Sequence, residues 1–227
     1  MRQLLISFTL LMSSTFVVAE VDPFEGANRA VFEFNESLDN AIFEPVARGY
    51  KASVPTFAQA RVRDFFGNLS DVGTLANQIL QFKIEDGFVT LGRVTVNTTI
   101  GLAGLFDVAS DIGLEKTHED FGQTLAVWGV SDGPYIMLPI FGPSTLRDTA
   151  GLYVDITSDV NMINQLEGGD KTVATLTNAL DERVELLPIT DLLDNSDDPY
   201  ITMRSSYLQK RENDIYDGNV PASDDDF

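Results

Sequence analysis

The 227-residue sequence contains no cysteine and a single histidine, His118. Without cysteine these residues can supply no disulfide framework, thiol nucleophile, thiolate metal site or lipidated thiol. One histidine cannot build a His-rich metal centre, so only oxygen ligands remain open. Positive charge is scarce as well. Fifteen Lys+Arg against 35 Asp+Glu give a net charge of -20. That balance opposes binding to nucleic-acid phosphates and polybasic docking on anionic lipid. The sequence also lacks a G-x-S-x-G elbow, a P-loop, a G-x-G-x-x-G turn and an H-E-x-x-H pair, and with them the common routes to covalent, nucleotide and zinc chemistry.

What is present points to one exported helical domain. Hydrophobic residues make up 44% of the chain, enough for a core. The first residues, MRQLLISFTLLMSSTFVVA, join Arg2 to an apolar run that ends in small residues, which predicts a secretory signal over 1–19 cut after Ala19. A domain over 20–211 and an acidic, mobile tail over 212–227 complete the expected organisation.

Apolar residues recur at helical spacing through most of the domain. Asp22, Pro23 and Glu25 read as a helix start, Val31, Phe34, Leu38 and Ala41 or Ile42 as its stripe, and Pro45 as its end. A short helix is expected over 46–52. Thr56 reads as the cap of another that carries Phe57, Ala60 and Phe65, and Leu75, Ile79 and Phe82 mark the next. Their ordinary reading is core. The β-branched run 94–100 favours strand, but Phe88, Leu91, Val94 and Thr98 step at helical spacing, so the segment is assigned as helix. Arg93 and the threonines around it make it a poor membrane span. Burial in protein, or contact with lipid on one face, suits it better. Val173, Leu176, Leu180, Val184 and Leu187 form a later stripe that Pro188 should end, and Asp197 or Asp198 should cap the last helix.

The isolated candidates for chemistry have ordinary readings. His118, in EKTHEDFG, has no nucleophile nearby and reads as an exposed or capping residue. Trp128 and Tyr135 read as core or interface aromatics. The acidic DNSDDP lacks the glycine and distal glutamate of an EF-hand loop and reads as a helix cap. Phe227 ends the chain in an aromatic, yet no alternating strands precede it, which excludes a transmembrane barrel.

One stretch resists these assignments. SDGPYIMLPIFGPSTLRD, residues 131–148, is apolar and holds three prolines, which disfavour both a buried helix and a central strand. It is expected to be irregular, rigid backbone that walls a wet or lipid-facing cavity.

Four motifs, DPFEGANRAVFEFN, VNTTIGLAGLFDVA, EDFGQTLAVWGVSDGPYIMLPIFGPSTLRDTAG and DPYITMRSSYLQKR, stand in an order and spacing that closely resemble the MlaA (VacJ) family over residues 22–211. The resemblance implies an all-α, ring-like domain with an amphipathic central channel, lodged on the periplasmic side of the Gram-negative outer membrane. It implies removal of mislocalised phospholipids from the outer leaflet, a trimeric porin of the OmpC/OmpF type and a soluble carrier of the MlaC type as partners, no cofactor and no catalysis. Members are described as lipoproteins, a departure here because no cysteine is present to carry the lipid. The lipid-channel candidates are Gly133, Pro134, Tyr135, Ile136, Met137, Leu138, Pro139, Ile140, Phe141, Gly142 and Arg147, with Phe34 and Asn35 as second choices. Phe34 reads first as core packing, and Arg147 first as the partner of Asp148 or another acid rather than of a lipid phosphate. A soluble periplasmic lipid carrier and a lipid hydrolase using His118 or a serine are the alternatives.

Overall fold

The computed structural model describes residues 22–221. The expected signal, and the tail from 222 onward, lie outside them. The architecture is helical, with one two-stranded hairpin. In chain order the elements are α1 (Glu25–Leu38), a π-helical turn (Asp39–Phe43), α2 (Glu44–Ser53), α3 (Thr56–Leu80), α4 (Ile84–Thr99), α5 (Val108–Asp111), α6 (Phe121–Val127), β1 (Tyr135–Leu138), β2 (Gly142–Thr145), α7 (Leu146–Thr157), a 3-10 turn (Met162–Gln165), α8 (Gly168–Leu193) and α9 (Pro199–Ile215). Among the described residues no helix is long and apolar enough to cross a membrane.

Several expected boundaries move, each for a local reason. Pro45 starts α2 rather than ending α1, because the π turn lets the helix slip register where proline brings no donor. Pro188 lies inside α8, which runs on to Leu193. The two helices expected between 56 and 82 are one, α3, and Thr56 does not cap it. Asp198 does cap α9, accepting the Ile201 N–H at 3.1 Å. Ordered chain continues past 211: α9 reaches Ile215, and Asp217 pairs with Lys83 at 2.6 Å.

The packed elements form a closed circuit. The π turn joins α1 to α2, α2 packs on α8, α8 on α3, α3 on α6, α6 on α7, and α7 on β2, while β1 returns to α1. Two apolar clusters sit on this circuit: Ala47, Val184 and Leu187 between α2 and α8, and Tyr135, Met137 and Tyr200 between the hairpin, α1 and α9.

The rest of the interior is polar. Among the described residues, eight apolar side chains are buried against nineteen polar or charged ones. On α3 the buried set includes Gln59, Asn68, Asp71, Thr74, Asn77 and Gln78, and on α4 it includes Thr90, Arg93 and Asn97. The apolar stripes face outward instead. Phe57, Ile79, Phe82, Phe88 and Leu91 are exposed, Phe82 by 82% and Phe88 by 71%. This overturns the core reading of α3, leaves α4 with the one-face alternative of its two expected settings, and Val173 and Leu176 on α8 are exposed in the same way. Periodicity identifies an apolar face, not the medium that covers it.

Polar contacts therefore hold α3 against α4. Arg93, 1% exposed, donates from Nε to Asp71 Oδ2 at 3.2 Å and from Nη2 to Asp107 at 3.0 and 3.1 Å. Its Nη1 donates to Ser110 Oγ and to the Leu114 carbonyl. Asn97, one turn on, donates to Asp107 and accepts the Ala109 N–H. A buried charge left alone would be very costly, and this one is paired and hydrogen-bonded on all sides. The α3–α6 joint is built likewise, from Asn77, Gln81, Glu119 and Thr124.

Where α6 crosses α7, Gly151 lies against Gly122. A Cβ at Gly151 would stand 2.6 Å from Gly122 Cα. Gly151→Ala should therefore destabilise the fold by about 1–3 kcal/mol through backbone displacement. Gly26→Ala, which meets nothing within 4 Å in α1, should be neutral or stabilising. Denaturant midpoints of the two variants check this pair.

Candidate functional site

The segment 131–148 is irregular only at its start and its tip, and its last residues open α7. Between them β1 and β2 pair antiparallel, Tyr135 with Thr145 and Leu138 with Gly142. The proline argument against a strand assumed neighbours on both sides. In a two-stranded ribbon each strand is an edge, and Pro143 needs no second partner. Pro139, Ile140 and Phe141 make the turn. Gly142 follows at φ 82°, a left-handed geometry that glycine adopts without steric cost.

The free edge of β1 is covered by side chains of α1 instead of a third strand. Asn28 donates to the Tyr135 carbonyl at 3.1 Å and accepts the Met137 N–H at 2.9 Å. Asn35 donates to the Leu138 carbonyl at 2.9 Å and accepts the Ile140 N–H at 2.8 Å. Each amide thus imitates one link of a strand. The register matches because seven helical residues rise about 10.5 Å, close to the roughly 10 Å spanned by three strand residues. Asn28 is itself fixed by Asp22, which also accepts the Tyr200 hydroxyl. Asp22, expected as a helix cap, accepts the Phe24 N–H at 3.0 Å at the start of α1 and also joins the first helix to the last.

This mounting sorts the candidate residues. Tyr135 and Met137 are buried against Tyr200, with Tyr135 edge-on to Tyr200 and Tyr207 at 6.3 and 6.1 Å. They brace the hairpin and offer no accessible surface. Ile136 and Leu138 point the other way and are half-buried. Pro139, Ile140 and Phe141 are exposed at the tip. Ile140 has φ 71°, a costly conformation for a β-branched residue, and its N–H bond to Asn35 holds it there. Phe34, expected first as core, is exposed on α1, whereas Asn35 reaches the hairpin. Gly133 and Pro134 lead into β1, and the Pro134 carbonyl accepts the Leu146 N–H.

Arg147 is buried and ion-paired, as its first reading expected. It donates to Asp132 and, from Nε, to Asp148 Oδ1 at 3.0 Å. Asp148 also accepts from Tyr207 at 2.7 Å and Arg211 at 2.9 Å. Arg211 binds Asp120 at 2.7 Å, so one guanidinium ties α9 to α6 and α7. The sequence analysis missed Asn28, Asp120, Arg211 and Tyr207. Two asparagines seven residues apart on an otherwise amphipathic helix were the available signal. His118 is exposed, and its backbone carbonyl accepts from Gln123. Trp128 is half-exposed and donates to the Leu80 carbonyl at 3.0 Å.

Two outcomes follow from this geometry. Asn28→Ala or Asn35→Ala should weaken the hairpin mounting by about 1 kcal/mol, which speeds exchange of the Met137 or Ile140 amide roughly fivefold. Hydrogen exchange resolved to β1 reads this directly. Asp120 supplies a pH test. Burial pushes its carboxyl up, but the Arg211 hydrogen bonds and charge outweigh it and bring it from 3.8 to about 2. Its stabilising contribution is full above about pH 4 and is lost as the pH falls through about 2, worth about 2 kcal/mol. The melting temperature should drop across that window, and Asp120→Asn should be less stable at neutral pH with a flatter acid limb.

The sequence model of the family described as "MlaA lipoprotein" matches residues 20–214. An uncharacterized protein of Rickettsia prowazekii is 38% identical over 193 residues, 84% of this chain and 76% of that protein. The "Intermembrane phospholipid transport system lipoprotein MlaA" of Escherichia coli strain K12 is 35% identical over 195 residues, 84% of this chain and 77% of that protein. A solved chain from work described as "Structural basis for maintenance of bacterial outer membrane lipid asymmetry" superposes with a TM-score of 0.75 at 34% identity, covering 88% of this chain and all of that one. Family, relatives and fold agree with the circuit of helices described above: the chain belongs to the MlaA family.

Proposed function

We propose that this protein transports phospholipids at the outer membrane, accepting lipids misplaced in the outer leaflet and passing them to the periplasmic side, which maintains lipid asymmetry. The observation that carries this reading is the inverted distribution of side chains: polar groups inside, large apolar groups outside. A water-soluble lipid carrier would bury its apolar residues around one lipid. Here Phe82, Phe88, Ile100 and Leu102 stand out from the surface, an arrangement that suits a protein seated among acyl chains.

The physical task is to move a polar headgroup past hydrocarbon. Desolvating that headgroup is the main cost. A ring that offers water and polar side chains to the headgroup, and apolar surface to the tails, lowers it with no covalent step. Ile136, Leu138, Ile140 and Phe141 form the accessible apolar edge of the hairpin and are the residues assigned to guide the tails. Arg147 positions the hairpin's base through its pairs with Asp132 and Asp148. The exposed apolar faces of α3, α4 and α8 provide the membrane seat. A trimeric porin beside the ring and a soluble periplasmic carrier receiving the lipid complete the reading.

Leu138→Asp combined with Phe141→Asp should abolish the maintenance of lipid asymmetry in cells while preserving helical content and protein level, because both residues are accessible. Outer-leaflet phospholipid, read by an outer-membrane acylation assay alongside circular dichroism of the purified protein, checks this. Unchanged asymmetry at normal level would refute the guiding role. Fractionation of the wild type entirely into soluble periplasm would favour the soluble-carrier reading.

A further inference from the structure

Two nearly uncharged segments meet where the start of α3 packs beside the end of α4. In a chain with 15 basic and 35 acidic residues, 52–62 and 94–106 hold one charged side chain between them, Arg61. Within the second segment Leu102, Ala103 and Gly104 are all left-handed, at φ 52°, 60° and 86°. Such a run is costly for residues that carry a Cβ. Backbone bonds hold it. Ala103 donates to the Thr98 carbonyl at 3.0 Å, Gly104 to the Asn97 carbonyl at 2.9 Å and Phe106 to the Gly101 carbonyl at 3.0 Å. Gly104 lies against α3, where a Cβ would stand 2.8 Å from Asn68 Cβ. The result is a rigid turn that exposes Ile100, Leu102 and Leu105, Leu102 by 64%.

Arg61 stands beside this turn. Its guanidinium lies 4.3 Å from the ring centre of Phe106 and 5.0 Å from that of Phe57, two cation–π contacts that fix its position. Phe57 is itself exposed by 65%. Nη2 donates to Asp64 Oδ2 at 2.5 Å, and Nε is enclosed. Nη1 is accessible and has no partner among the described residues. One guanidinium nitrogen thus stays open beside apolar side chains. At a lipid–water boundary the rings and aliphatic groups of such a cluster enter hydrocarbon, while the charge reaches the headgroups.

We infer that Arg61 binds the phosphate of a bilayer phospholipid while the turn 100–105 lies among acyl chains, so that this joint sets the depth at which the ring is seated. The inference rests on the membrane-seated transport reading and names the lipid group that holds one side of the ring. Arginine suits the task because it stays charged and offers Nη1 while Nη2 keeps Asp64. A carboxylate on a partner protein would satisfy the same donor, but it would have to be desolvated beside Ile100 and Leu102. A lipid phosphate arrives with hydrocarbon of its own to cover them.

The test uses the full chain, reconstituted by detergent removal with vesicles of phosphatidylcholine or of digalactosyldiacylglycerol. Both lipids are uncharged overall, and only the first has a phosphate. The fraction of protein that floats with the vesicles is the readout. Arg61→Gln should lower association with phosphatidylcholine about fivefold, the worth of one hydrogen bond, and leave association with the galactolipid unchanged. Any loss of folded protein acts on both vesicles alike, so the ratio between them isolates the phosphate contact. Leu102→Asp, which the left-handed backbone tolerates, should lower association with both. Equal loss on the two vesicles for Arg61→Gln, or loss on neither, would overturn the phosphate assignment and leave the transport reading standing. Leu102→Asp without effect on either would overturn the seating of the turn. A wild type that floats with neither vesicle would strike the membrane-seated reading, and transport with it.

Discussion

The contact on which the structure most depends is the salt bridge and hydrogen-bond set around Arg93. In a water-soluble protein a buried ion pair is a poor source of stability, since apolar residues of the same volume would serve as well or better. Among acyl chains that comparison changes. Helices gain nothing from hiding leucine from lipid, so packing and polar contacts must hold them together. Asp71, Asp107, Ser110 and the Leu114 carbonyl around one guanidinium fix α3, α4 and the turn beyond α4 in one arrangement. The Glu119 network repeats this at the α3–α6 joint, where burial pushes the Glu119 carboxyl up against the pull of Lys83. Arg211 repeats it between α9, α6 and α7.

With cohesion supplied from inside, the outer faces are free to be apolar. Phe82 and Leu102 carry large side chains at left-handed backbone positions on surface turns, φ 61° and 52°. Such conformations cost about 1–2 kcal/mol each for non-glycine residues, and the polar networks beneath hold the turns that contain them. Ile140 belongs to the same class, with Asn35 as its restraint. The hairpin is accordingly stiff in its lower part, where tyrosines pack edge to face, and is tied at its tip by one amide.

The sequence made the helical class legible, because stripes such as Phe88–Leu91–Val94–Thr98 rise above strand propensity. It also made the pairing of Arg147 legible, because a carboxylate is its neighbour in the chain. The direction of the stripes was not legible. An apolar face packs equally well on protein or on lipid, and only the polar residues between the stripes, Asn68, Asp71, Gln78, Thr90, Arg93 and Asn97, carry the clue that the inside is polar. The hairpin was hidden by a rule about proline that holds for strands with two neighbours.

The circuit of helices closes where the first helix meets the last. Asp22 holds Tyr200, and Arg29 binds Asp198 at 2.8 Å, across 178 and 169 residues of chain. The ring therefore cannot be completed until the final helix is in place. Contacts of such high sequence separation form late, after the local helices. Until then the chain is an open arc, with its polar lining and apolar rim both unsatisfied in any single solvent. Closure of the circuit is thus the last event of folding, and a chain without its final helix keeps its local helices but loses the joint between its two ends.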